Sequence, residues 1–119
     1  MGGWSLAEII HATSENHYFW GGVCDGWHLL RGTELSVIEE QMPPGSEEQR
    51  QNHQRARQFF YVLEGELAME VDGRLYVLKA RQGLEIAPGA PHQARNSSQS
   101  EVRFLIVSQP PSQGDRQPA

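Results

Sequence analysis

The sequence predicts a single all-β domain closed into a barrel or sandwich. Three observations carry that prediction. The 119 residues include 12 Gly and 7 Pro, which punctuate the chain with turns. Between those turns lie about nine short runs that are either apolar or alternate apolar with polar, the period of strands. Only the first residues carry a helix signature, which disfavours an alternating β/α architecture. A chain of this length makes one domain and buries enough apolar surface for one core.

The elements follow in order. Ser5 and Glu8 have the spacing of a capping box, and Leu6, Ile9 and Ile10 form a narrow apolar stripe behind it. The expectation is a short N-terminal helix with its lead-in over residues 1–15, ending near Ser14. His17 to Trp20 reads as a strand stopped by Gly21-Gly22, and Trp27 to Leu30 as a second, bounded by Asp25-Gly26 and Gly32. Glu34 to Met42 is longer and ends at Pro43-Pro44-Gly45, where two prolines cannot donate to a ladder. Gln58 to Leu63 is densely apolar. Leu67, Met69 and Val71 alternate with Ala68, Glu70 and Asp72, the pattern of a strand with one wet face. Asp72-Gly73 predicts a two-residue type I′ hairpin into Leu75 to Leu78, since that turn needs positive φ at both positions. Leu84 to Ile86, His92 to Arg95 and Val102 to Val107 complete the barrel, expected over residues 16–108. Residues 109–119 hold Pro110, Pro111 and Pro118 and no large apolar side chain, so they are expected to form a flexible tail.

Charge and composition narrow the function classes. The net charge of −5 argues against binding a phosphate backbone, where a basic face is needed. Arg50, Arg55 and Arg57 lie close together, but Glu47 and Glu48 stand beside them, as in a solvated mixed-charge loop. Apolar runs fall short of membrane-spanning length, and no basic-then-apolar leader opens the chain. The lone Cys24 cannot form an intrachain disulfide and reads as a small core filler. The expectation is therefore a cytoplasmic protein that binds neither nucleic acid nor membrane.

Chemistry concentrates between Gly45 and Asn96. Gly45 is followed by five residues, then Gln51, His53, four residues, Gln58, six residues and Gly65. This stretch resembles the first cupin motif, G-x5-H-x-H-x4-E-x6-G, in every spacing, with glutamine at the first His position and at the Glu position. Fifteen residues later begins a partial match to the second motif, G-x5-P-x-G-x2-H-x3-N. Gly89, His92 and Asn96 fit it, Arg81 and Ala87 occupy its early Gly and Pro positions, and Gly83 and Pro88 stand nearby. The chain thus resembles the cupin family, which implies a double-stranded β-helix, or jelly-roll, barrel. In that family the equivalent positions hold a divalent metal inside the barrel mouth, so the resemblance makes Gln51, His53, Gln58 and His92 the candidate ligands.

The residues support such a site on their own terms. Positions 51 and 53 share one strand face. Residues 54–57 could form a hairpin loop that sets Gln58 opposite His53 on the next strand. His92 can join them only through barrel closure. By parity Phe60 and Val62 lie on the side of Gln58 and are expected to line the ligand pocket. Two imidazoles suit Zn, Ni, Fe, Mn or Cu, whereas neutral amides leave the ion's charge uncompensated and favour an anionic ligand. The competing reading is a pocket whose four polar groups satisfy one another through hydrogen bonds and water. His11, His17 and His28 read as packing or surface residues. The expected function is a small cupin holding a divalent metal and a small polar or anionic molecule, possible as a dioxygenase or isomerase; the alternative is a metal-free binding or sensing module. Gln58 to Leu63 is apolar on both faces, with Phe59, Tyr61 and Leu63 on the second, so a homodimer is expected to cover it.

Overall fold

The computed structural model describes residues 6–112 and 114–119. Its strands are β1 (His17–Trp20), β2 (Cys24–Arg31), β3 (Ser36–Met42), β4 (Gln51–His53), β5 (Arg57–Glu64), β6 (Glu66–Val71), β7 (Arg74–Lys79), β8 (Gly83–Ile86), β9 (His92–Arg95), β10 (Val102–Gln109) and β11 (Arg116–Pro118). They form two antiparallel sheets, β1-β2-β3-β10-β5-β8 and β11-β4-β9-β6-β7. The all-β jelly-roll expectation holds. Asp72 and Gly73 both have positive φ, 51° and 87°, and close the β6–β7 hairpin as their sequence predicts.

The helix does not form. Ser5, half of the proposed capping box, lies outside the described residues, and residues 6–16 contain no helix. Leu6 and Ile9 stand in solvent, so the apolar stripe has nothing to bury against. A helix this short is unstable without such packing. Local bonds take its place: Asn16 Oδ1 accepts the Thr13 amide at 2.9 Å, and Asn16 Nδ2 donates to the His11 carbonyl at 3.0 Å.

Two further differences shape the interior. Asp25-Gly26, read as a turn, lies within β2, and the chain reverses instead at Gly21-Gly22, both at positive φ. Gly26 pairs with Tyr18 on one side and with Glu40 on the other. A Cβ on Gly26 would stand 2.2 Å from Tyr18 Cζ, so the phenol crosses β2 only because this residue has no side chain. The expected β4–β5 hairpin is also absent. β4 belongs to the five-stranded sheet and β5 to the six-stranded one, so residues 54–56 carry the chain between sheets.

The segment expected to be a flexible tail is drawn onto the barrel. Gln109 completes β10, and β11 pairs with β4 in the register Arg116–His53, Gln117–Asn52 and Pro118–Gln51. Asp115 Oδ2 accepts the amides of Arg55 and Ala56, each at 2.9 Å. A three-residue edge strand with open backbone groups gains a partner this way, and no large apolar side chain is required.

The core lies between the sheets. Met42, Phe60, Val62, Leu67, Met69, Val102 and Phe104 are fully or almost fully buried, and Cys24 fills space beside them as expected. Phe60 and Phe104 stack at 5.9 Å. On the outer face of β5, Phe59 and Leu63 each remain 42% exposed.

Candidate functional site

One end of the barrel interior is polar. Gln51 and His53 both point inward from β4, as their spacing of two requires, and Gln51 pairs directly with His92 on β9. The rings of His53 and His92 lie 5.7 Å apart, and Phe60 meets His92 edge-on at 6.1 Å. Gln58 enters from β5 in the opposite sheet, where it pairs with Ser108 and Ile86. All four candidate ligands are buried.

Their hydrogen bonds divide in a consistent way. Gln51 Nε2 donates to Glu48 Oε2 at 3.1 Å, and Gln58 Nε2 donates to Ser108 Oγ at 3.0 Å. His92 Nδ1 is paired with the Ala90 carbonyl at 3.1 Å. Each of these three is thus held by one atom, while among the described residues Gln51 Oε1, Gln58 Oε1 and His92 Nε2 are buried and find no partner, as do both ring nitrogens of His53. Buried polar atoms are rarely left unpaired. Burial lowers the pKa of His53, with His92 adding to the effect, to about 4, and burial likewise lowers His92. Both rings are therefore neutral near pH 7, the form in which imidazole offers a lone pair.

A cavity of about 560 Å³ reaches three of the four candidate ligands, and His92 is not part of its lining. Gln51, His53, Gln58 and Phe60 line it. Val62, expected to line it too, does not; it pairs with Phe104 and belongs to the apolar core. Parity gave its direction correctly, but it lies two residues further from the mouth. Asn96 is structural, donating to the carbonyls of Met42 and Ser100 at 2.9 and 2.8 Å. Gly89 adopts φ 83° and donates its amide to the His53 carbonyl at 2.7 Å.

Several lining residues escaped the motif reading. Glu40 is 7% exposed and accepts the Tyr18 hydroxyl at 2.7 Å. Burial raises its pKa to about 8, against the opposing hydrogen bond from Tyr18. Burial also raises Glu48 to about 7, although Oε1 accepts the Ala94 amide at 3.0 Å. The signal for Glu40 was legible: it shares strand parity with Ile38 and Met42, so an acid stands on the apolar face of β3. Arg116 reaches the cavity from β11, and nothing in its local sequence announces it. His28 also lines the cavity and packs its ring 4.6 Å from that of Tyr18, in keeping with a packing role.

Among the described residues no group of three or more His, Cys, Asp or Glu could hold a metal. Two of the four positions here carry amides. What the four candidate positions offer a cation is, among the described residues, buried carbonyl oxygens and ring nitrogens without a hydrogen-bond partner.

Comparison with known proteins agrees with the fold. The family described as "Cupin domain" matches residues 38–108. A protein of Methanocaldococcus jannaschii, MJ1618, is 27% identical over 84 residues, spanning 71% of this chain and 67% of that one. Polyketide synthase CurC of Streptomyces cyaneus is 35% identical over 69 residues. That match covers 58% of this chain and 45% of CurC, so the chain spans less than half of the length of that relative. The polyketide cyclase RemF of Streptomyces resistomycificus superposes with a TM-score of 0.82 at 18% identity, covering 96% of this chain and 86% of RemF. At that identity the likeness is one of fold.

Proposed function

This chain belongs to the cupin family, and on that premise we propose that it holds a divalent metal and a small polar or anionic organic molecule side by side in the barrel mouth. One observation carries the reading: the four candidate ligands each bury an unpaired lone-pair atom, and three of the four are fixed through their other polar atom. His53 and His92 would be the indispensable ligands, with Gln51 and Gln58 completing the set. When bound, the ion supplies a Lewis acid that polarises an oxygen of the ligand. Glu48 orients Gln51 and places a carboxyl behind it, and Ser108 does the same for Gln58 with a hydroxyl. Arg31 and Arg116 line the cavity and suit a ligand with negative charge. Likeness to CurC and RemF supports a carbonyl-rich molecule as the ligand class. The reading includes a homodimer that covers the outer face of β5, where Phe59 and Leu63 stand exposed.

Elemental analysis of protein purified without a nickel resin tests this. Stoichiometric Zn, Ni, Fe, Mn or Cu is expected, lost in His53→Ala and in His92→Ala while the circular dichroism of the barrel is retained. Metal retained in both variants would overturn the assignment. The second reading is a metal-free binder, favoured by the wholly neutral donor set. Protein that binds a small anion with no metal before or after metal reconstitution would establish it.

A further inference from the structure

A second polar group faces the same cavity from the opposite sheet. Tyr18, Gly26, Glu40, Phe104 and Val62 form one row across β1, β2, β3, β10 and β5. Three members of that row suit its depth: Phe104 and Val62 are fully buried and apolar, and Gly26 is bare. Glu40 does not suit it. An acid in an apolar row is costly unless it has a partner, and among the described residues its one hydrogen-bond partner is the Tyr18 hydroxyl that reaches across Gly26. Neither residue braces the metal-ligand cluster, since the hydrogen bonds of that cluster run to Glu48, Ser108 and Ala90. Both residues line the cavity.

We propose that Glu40 is a catalytic proton acceptor and donor for a carbonyl compound bound in the cavity, and that Tyr18 positions and tunes it. The inference rests on reading the cavity as the ligand site, and it names the chemistry performed there. In the forward step the Glu40 carboxylate takes a proton from a carbon next to the carbonyl. The C–H bond breaks, an O–H bond forms on Glu40, and the electron pair moves through the new C=C bond onto the carbonyl oxygen as an enolate. Return of a proton from Glu40 to carbon restores the ketone, so no oxidant or further reactant is consumed.

The surroundings of Glu40 set its working range. Burial raises its pKa to about 8, the Tyr18 hydrogen bond and the charge of Arg116 on β11 lower it, and Glu48 raises it. Cys24 on β2 feels the carboxylate in turn, its thiol raised mainly by burial. β10 presents Phe104 beside it. His28 packs on the Tyr18 ring. The base form of Glu40 therefore accumulates as pH rises toward 8, close to the operating pH at which a general base works best.

Deuterium uptake at the methylene carbon of acetoacetate in D2O, followed by proton NMR with the full-length protein, tests the proposal. The wild type is expected to accelerate exchange by about a hundredfold or more over buffer. Glu40→Gln, which keeps the shape, should return exchange to the buffer rate while acetoacetate binding by calorimetry and metal content stay unchanged. Tyr18→Phe should retain exchange but move its pH midpoint upward, because the hydrogen bond that lowers the Glu40 pKa is gone. A purely structural Tyr18 would change stability without that shift. Wild-type exchange at the buffer rate, or full exchange in Glu40→Gln, overturns the proposal. Glu40-dependent exchange in protein that takes up no metal would support it and sink the metal reading instead.

Discussion

Along β5 the inward residues are Gln58, Phe60 and Val62, and each meets a different barrel. At Val62 the interior is closed by Phe104, Met42, Leu67 and Val102, all fully or almost fully buried. At Gln58, two residues from Phe60, the neighbours across the ladder are Ser108 and Ile86, and Gln51 and His53 from the other sheet line the same cavity. Phe60 stands between, stacked on Phe104 on one side and edge-on to His92 on the other. The difference teaches that stability and chemistry are written on the same strand faces, separated only by depth. Since side chains alternate with period two, a slip of one residue would lose both at once.

The comparison can be broken most severely at its apolar end. Phe104→Ala should destabilise the barrel by about 3–5 kcal/mol, read from urea unfolding, because it removes a buried ring and leaves a cavity. Metal affinity of the fraction that remains folded should be unchanged. A loss of metal affinity with little loss of stability would show that the two ends are not separable.

At the polar end, Gln58→Glu sharpens the contrast. Restoring a carboxylate should tighten metal binding about tenfold, or about 1.4 kcal/mol, by titration calorimetry. In the metal-free protein burial would raise the pKa of the new carboxyl above its ordinary value. The variant is then most stable in acid and loses stability as pH rises through the interval between the ordinary and the raised pKa. Unchanged or weaker metal binding would place Gln58 outside the coordination sphere and favour the metal-free reading.

The smallest effect is expected on the outer face of β5. Phe59 is 42% exposed, with its ring over Gly83 and stacked on Tyr61, so Phe59→Ser should destabilise the folded subunit by about 1 kcal/mol. Light scattering should nevertheless report a shift from dimer toward monomer. A wild-type protein that is monomeric at micromolar concentration would remove the proposed second copy.

Much of this was legible in the sequence because the signals were local. The Asp72-Gly73 turn follows from backbone sterics alone, and spacings of two fix the shared face of Gln51 with His53 and of Gln58 with Phe60. His92 was found through a resemblance in spacing, which stands in for a contact that only barrel closure makes. The failures are tertiary. Leu6, Ile9 and Ile10 look like a helix face until no surface is found to receive them. Gln58 was expected beside His53 on a neighbouring strand, but residues 54–56 cross between sheets, so the two face each other across the interior. Glu40 could have been singled out as an acid at the parity of Ile38 and Met42; its partner Tyr18 could not, because their meeting depends on what Gly26 lacks. Arg116–Pro118 was invisible because an edge strand needs backbone groups from its neighbour, and its own composition says little.

That last strand has a consequence for how such a protein could change its ligand. Pro111, Ser112, Gly114 and Arg116 border the cavity, yet none of them belongs to the packed interior. What ties this stretch down is largely backbone pairing to β4 and the Asp115 carboxylate on the amides of Arg55 and Ala56. Side chains there can be exchanged at little cost to folding, so selectivity can drift while the barrel and its lone pairs stay as they are. On the proposed reading, variation in ligand choice has its easiest route through these few residues, and a library randomised at positions 111, 112 and 116, with Gly114 kept for its φ of 76°, is the place to look for it.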